Sequence, residues 1–329
     1  MDDAIRILSQ RDIALLMSPA DYLAAVESGF RAANEGRASS PPPLHLAAAG
    51  GGFHAKGALI ENAGGAYAAL KFNGNFPGNT DRPTIQGLIL ISDARTGSPL
   101  AIMDSVEITL RRTAAASALA ARRLARPDSG SIAFCGCGAQ AWAHLEAFAD
   151  LFNLVDGAAW DMDAGKAASF AFRARETFGV ELRAVRSLRQ ATLDADIVVT
   201  TTTASTPFLG VEDVAAGAFI AAVGADAPHK NEIEPALMAR SQVYADVLAQ
   251  CIVMGDLHHA IAAGALTRED VRGDLAALVS GHCAHRLRAD EIILFDSTGT
   301  AIEDAASAVL ILERALENGG GRQVQLAGL

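Results

Sequence analysis

Basic residues are in short supply in this chain: 27 Lys and Arg face 38 Asp and Glu, for a net charge of −11. That balance excludes a nucleic-acid partner, because binding a phosphate backbone needs concentrated positive charge. Four cysteines are too few for a disulfide framework at 329 residues. No apolar run reaches the roughly 20 residues of a bilayer span, so no membrane partner is expected. The opening Met1-Asp-Asp-Ala-Ile-Arg6 lacks the basic and apolar regions of a signal peptide, and the expected compartment is the cytoplasm. Aromatic residues are few, at 5%, while half the chain is hydrophobic; the composition is that of an alanine-rich soluble globular protein of two domains. His282-Cys283-Ala-His285 has no second ligand cluster at a recognised spacing, so no metal site is expected.

The run Ala133-Phe-Cys-Gly136-Cys-Gly138-Ala139-Gln140-Ala141 follows a short apolar stretch and opens an alanine-rich segment. Strand, glycine turn and helix start in that order form the dinucleotide-binding fingerprint, Gly-x-Gly-x-x-Ala. Gly136 permits the tight turn, and Gly138 lets the backbone approach a pyrophosphate. The amides at the helix start, from Ala139 and Gln140, then face negative charge. One unit later, Asp161 ends an apolar stretch. A carboxylate there accepts from ribose hydroxyls and repels a 2′-phosphate, so NAD is favoured over NADP. Asp163 adds to that bias unless it is an ordinary loop acid.

Ser18-Pro19-Ala-Asp21 starts a helix, and Leu23, Val26, Phe30 and Ala33 continue it at helical spacing up to Gly36. After a stiff connector over 38–43, alternating segments around 53–59, 66–72, 87–92 and 100–103 predict an antiparallel sheet. A long helix is predicted over 107–126. Strand candidates at 131–135, 156–161, 196–202, 218–223, 242–246 and 291–296 then alternate with helical segments, the pattern of a doubly wound parallel sheet. A last helix near 303–317 precedes a strand-like 322–326 that is free to return to the first sheet. The expected fold is α/β: a Rossmann-type domain, 119–309, inserted in a mixed α+β substrate and dimerisation domain, 1–118 plus 310–329.

Ligands of open parallel sheets bind beyond the carboxyl ends of the strands. Thr201, Thr202, Val223, Gly224, Asp226 and Ser297 stand at such ends. Asp226 is otherwise a helix cap, and Asp296 is expected to cap the helix that follows it. Lys71 stands among apolar strand residues, and Arg112 near the start of the long helix.

Together, Leu70-Lys71 with Pro77-Gly-Asn79, Pro83-Thr84, Arg112-Thr113-Ala-Ala115, Gly136-Cys-Gly138-Ala-Gln140-Ala141, Val223-Gly-Ala-Asp226 with Lys230, and Phe295-Asp-Ser297-Thr-Gly299 resemble the ornithine cyclodeaminase/μ-crystallin family over most of the chain. The resemblance implies a homodimer, a carboxylate clamp at Lys71 and Arg112, a catalytic acid at Asp226 and a pocket residue at Thr84. On spacing alone, Lys71 is equally a surface lysine with its stem on the sheet. Many relatives carry an arginine near the first connector. This chain has Pro41-Pro-Pro43-Leu44-His45 instead, with His45 the nearest polar substitute. It also carries Lys56 where the cyclodeaminases carry an acid. Lys56 suits an anion and argues against ornithine; it serves the α-carboxylate, serves a second carboxylate, or is a solvated edge lysine.

The leading expectation is an NAD-dependent reductase of a small 2-imino acid, either cyclic, such as pyrroline-2-carboxylate, or acyclic, such as iminosuccinate or iminopropionate. The alternatives are a cyclodeaminase that recycles its NAD, and a non-catalytic NAD(P)H-binding protein.

Overall fold

The computed structural model describes residues Ala4 to Gln325. The chain runs β1 (Ala4–Leu8), α1 (Gln10–Leu16), α2 (Pro19–Asn34), β2 (Ala38–Ser39), β3 (Leu44–Ala48), β4 (Gly51–Asn62), β5 (Gly65–Asn75), β6 (Ile85–Asp93), β7 (Pro99–Asp104) and α3 (Val106–Leu124). It continues with β8 (Ser131–Cys135), α4 (Ala139–Ala149), β9 (Asp156–Trp160), α5 (Ala164–Phe178), β10 (Glu181–Ala184), α6 (Leu188–Thr192), β11 (Ile197–Thr200) and β12 (Phe219–Ala222). Then come α7 (Pro235–Arg240), β13 (Gln242–Ala245), α8 (Leu248–Cys251), α9 (Gly255–Ala262), β14 (Gly273–Asp274), α10 (Leu275–Val279), β15 (Ile293–Asp296), α11 (Ala301–Asn318) and β16 (Arg322–Gln325).

Two compact units emerge: the chain up to Arg112 with the chain from Thr300 onward, and Thr113–Gly299 between them. The expected breaks, after 118 and 309, fall inside α3 and α11. The units divide nearer the starts of these helices.

In the first unit the strands follow the order β16-β1-β7-β6-β5-β4-β2, with β3 also on β4. The sheet is mixed rather than antiparallel throughout, because β1 enters parallel to β7. The last strand does return to this sheet: β16 pairs antiparallel with β1, and Leu326 lies outside the described residues. The sheet's inner face carries Ala58, Ile60, Ala69, Ile89, Ile91 and Met103, all buried, and α11 lies against β4 and β5. Helix α2 covers α11, with Val26 and Phe30 fully buried. Each such side chain contributes about 1.5–3 kcal/mol. Capping boxes at Ser9/Asp12 and Ser18/Asp21 start α1 and α2.

The outer face is apolar and, among the described residues, exposed. Leu44, Leu46, Leu59, Leu70, Phe72 and Leu88 are each more than two-fifths exposed. Cross-strand pairing sets this division. Leu70 faces Leu90, and Phe72 faces Leu88, one residue out of phase with the buried Lys71–Ile89 pair.

The second unit is the expected parallel sheet, in the order β10-β9-β8-β11-β12-β15-β13-β14. Its central strands, such as Ile197–Thr200 and Ile293–Asp296, are buried at every position. That explains their unbroken apolar runs.

Candidate functional site

In the first unit, Lys71 and Arg112 converge on one carboxylate. Lys71 Nζ lies 2.6 Å from Asp304 Oδ2, and Arg112 Nε donates to Asp304 Oδ1 at 2.8 Å. Arg112 Nη1 donates to Glu303 Oε2 at 2.7 Å, and Lys71 Nζ also reaches Thr109 Oγ1 at 3.3 Å. Both cations are buried, so Lys71 is not a surface lysine. Its register explains why: Lys71 shares the inner face with Ala69 and Asn73.

The two acids come from the start of α11. Thr300 accepts the amide of Glu303 there in the usual cap geometry, which brings Glu303 and Asp304 into the first turn. Sequence reading missed both acids. The Thr300-x-x-Glu303 pattern marks the helix start, but a capping pattern alone does not separate a buried acid from a solvated one.

Lys56 is the cross-strand partner of Lys71 on the same face. Like charges directly opposite are destabilising. Lys56 therefore adds its positive charge beside the cluster of Lys71 and Arg112 with Glu303 and Asp304. Burial pulls the Lys71 ammonium down to about 7 against the support of Asp304, with Arg112 and Lys56 adding to the fall. Burial works against the Arg112 charge as well, but Asp304 and Glu303 outweigh it and push its pKa up. Burial raises Asp304, yet Arg112 and Lys71 hold it below the ordinary carboxylate range.

Two expected pocket residues do not join this cluster. His45, exposed on β3, packs its ring 4.5 Å from that of its strand partner His54. Thr84 is exposed in the β5–β6 connection, where its carbonyl accepts from Phe76 N. Strand pairing places it five residues before Ile89, the partner of Lys71, or roughly 17 Å along the strand.

In the second unit, Gly136 takes φ +90°, and a Cβ there would sit 3.0–3.2 Å from Thr201 and Thr202. Only glycine makes this turn without strain. Around Gly138, at the N-cap of α4, a Cβ would meet nothing within 4 Å, and no side chain caps the helix. Ala139 is the first residue of α4, and the Gln140 amide is turned along the helix to His144. Asp161 faces the turn: its Oδ2 accepts from Cys137 N at 2.9 Å. Asp163 caps α5 through the amides of Gly165 and Lys166, which both donate to its Oδ1. The glycine turn, open helix start and adjacent carboxylate fit a dinucleotide.

Asp226 follows β12 in a turn, half exposed, with Lys230 Nζ 2.6 Å from its Oδ1. No helix starts there, so it is not a cap. Asp296 does cap a helix, but not the one that follows: its carboxylate accepts from Asp256 N and Leu257 N at the start of α9. Thr200 Oγ1, Thr202 N and Gly224 N all donate to Glu232, which the motif search did not single out. Val223 is buried, and Ser297 Oγ is turned to Asp246.

The model of the ornithine cyclodeaminase/mu-crystallin family matches residues 4–319. The chain belongs to that family. It is 34% identical to the alanine dehydrogenase of Archaeoglobus fulgidus over 97% of this chain and 98% of that one. An archaeal alanine dehydrogenase dimer with bound NAD superposes with TM-score 0.93 at 33% identity, covering 98% of this chain and 99% of the other. The Thermococcus litoralis Δ1-pyrroline-2-carboxylate reductase, in complex with NADH and L-proline, superposes with TM-score 0.92 at 30% identity, covering 97% and 100%. These relatives are NAD-linked oxidoreductases, and the Rossmann-type unit inserted in a mixed α+β unit is the architecture of the family.

A carboxylate beside the glycine turn would repel a 2′-phosphate, so Asp161→Ala is expected to shift cofactor use toward NADPH. The ratio of kcat/KM with the two cofactors measures this. An unchanged ratio removes Asp161 from cofactor choice.

Proposed function

We propose that this protein is an NAD-dependent oxidoreductase that reduces a small 2-imino acid to the amino acid. The observation that carries the reading is the buried ion cluster of Lys71 and Arg112 with Glu303 and Asp304, to which the half-buried Lys56 adds positive charge from the facing strand position. A carboxylate answers that charge and adds charge-assisted hydrogen bonds. Lys56 is then the third cation at the α-carboxylate, in the role the absent connector arginine would have had. A cyclodeaminase must instead receive a distal ammonium group, which Lys56 repels.

The dinucleotide is assigned to Gly136, Gly138, Ala139, Gln140 and Asp161, with Thr201, Thr202, Val223 and Gly224 bordering it. When bound, NADH supplies the hydride. Lys71 and Arg112 orient the substrate through its carboxylate, so that transfer becomes a positioned unimolecular step. The Asp226 carboxylate, oriented by Lys230, relays a proton from solvent water to the imine nitrogen and, ionised again, balances the iminium charge that accepts the hydride.

The test follows NADH absorbance with 2-oxo acids plus ammonia or methylamine, and with pyrroline-2-carboxylate. Stoichiometric consumption is expected. Ammonia release from ornithine without net NADH change, or no turnover with any imino acid, would contradict the reading.

The pH dependence follows from Lys71. Its proton is present below about pH 7 and lost above it. Log kcat/KM should therefore fall as pH rises past about 7, whereas kcat, read with carboxylate bound, should hold to higher pH. A kcat/KM flat from pH 6 to 9 would show that Lys71 does not titrate in the free enzyme.

The outer apolar face is assigned to a second copy of this chain; an alanine dehydrogenase of the same fold is a dimer. Leu70→Glu with Leu88→Glu should convert a dimer into a monomer by light scattering. A monomeric wild-type protein would refute this assignment.

A further inference from the structure

Glu232 is fully buried, yet no cation meets its carboxylate among its described contacts. Its oxygens instead gather donors from the ends of two neighbouring strands. Oε1 accepts from Thr202 N at 2.6 Å, and Oε2 accepts from Thr200 Oγ1 at 2.6 Å and Gly224 N at 2.8 Å. The approach to Gly224 is so close that a Cβ there would stand 2.4 Å from Glu232 Oε1 and 2.4 Å from Thr202 O. Behind Glu232 stands a second buried acid. Asp256 Oδ1 accepts from Glu232 N at 2.6 Å and Ile233 N at 2.9 Å. Asp256 is in turn held at its own amide by Asp296, at the end of β15. Carboxylates thus tie the ends of β11, β12 and β15 together through backbone amides.

Such an arrangement is costly. Burial raises the pKa of Glu232 against the pull of its hydrogen bonds, and burial together with Glu232 raises that of Asp256. An apolar residue would serve a purely structural end at lower cost. What the carboxylate delivers is placement. The Gly224 amide it holds opens the turn whose Gly224 carbonyl accepts from Asp226 N at 3.1 Å.

We propose that Glu232 is a positioning residue, which fixes the Val223–Asp226 turn by its amide at Gly224 and so sets where the Asp226 carboxylate acts. The inference rests on the role given to Asp226 above. Misplacement on the order of 1 Å costs roughly 100-fold in rate. Glu232→Gln swaps an acceptor for a donor facing donors and disturbs this hold. Thr200→Val removes one donor and leaves the fold's apolar packing.

The experiment is a double-mutant cycle on the full-length protein, reading kcat, KM and NADH affinity by fluorescence titration. Glu232→Gln should lower kcat by about 10- to 100-fold. Thr200→Val should lower it less. NADH affinity should change little in either. In an Asp226→Asn background, neither change should lower kcat further, because the group being positioned is gone. Additive losses in that background would overturn the proposal while leaving the assigned reaction intact, as would full kcat in Thr200→Val should Glu232→Gln fail to fold. A wild-type protein that turns over no imino acid would overturn both.

Discussion

Replacing Asp226 by Asn is expected to lower kcat by roughly 10²- to 10⁴-fold, the range for losing a positioned acid or base, while NADH affinity stays near that of the wild type. The side chain is half exposed in a turn and its ion partner Lys230 is four residues away, so the fold has little stake in it. Exposed pairs of this kind contribute about 0–1 kcal/mol. A large effect on rate with none on stability is therefore the signature of chemistry at this carboxylate. Asn keeps the volume and one acceptor but can neither release a proton nor balance an iminium charge. Steady-state kinetics beside a thermal melt separate the two effects. Unchanged turnover removes Asp226 from the mechanism, and with it the link from Glu232.

Arg112→Met is expected to be the most destabilising single change in the first unit. It removes the bonds that Glu303 and Asp304 receive from the guanidinium, and breaking one side of a buried ion cluster costs about 3–5 kcal/mol. The melting temperature should fall by on the order of 10 °C, and turnover should be lost with it. Lys71→Met should cost less in stability, because Asp304 keeps its bond to Arg112 Nε, yet it should still raise KM for the carboxylate substrate. Equal melting temperatures for the Arg112 variant and the wild type would mean that the cluster is not the buried unit described here.

Much of this architecture was legible in the sequence. The strands of the parallel sheet announce themselves as short apolar runs, such as Ile197–Thr200, because both faces are covered. The glycine turn was legible because Gly136 must take a positive φ. Lys71 stood out as a charge among strand apolar residues. What escaped was long-range. Glu303 and Asp304 read locally as helix-start acids, and only the fold carries them nearly 200 residues back to Arg112. Glu232 sits in no motif that names it, and its work is done through backbone amides that carry no sequence signal. The parallel entry of β1 beside β7 was hidden because a five-residue strand has no turn to reveal its neighbour. His45 resembled a carboxylate ligand by position, but its strand register pairs it with His54 instead of Lys71.

The central claim is that Lys71 and Arg112, with Lys56 beside them, select a substrate carboxylate. It is tested most directly by comparing one imino acid, such as pyrroline-2-carboxylate, with its neutral carboxamide under NADH. Charge-assisted hydrogen bonds of about 1.5–3 kcal/mol each predict kcat/KM at least roughly 100-fold higher for the acid. Comparable turnover of acid and amide would contradict the account.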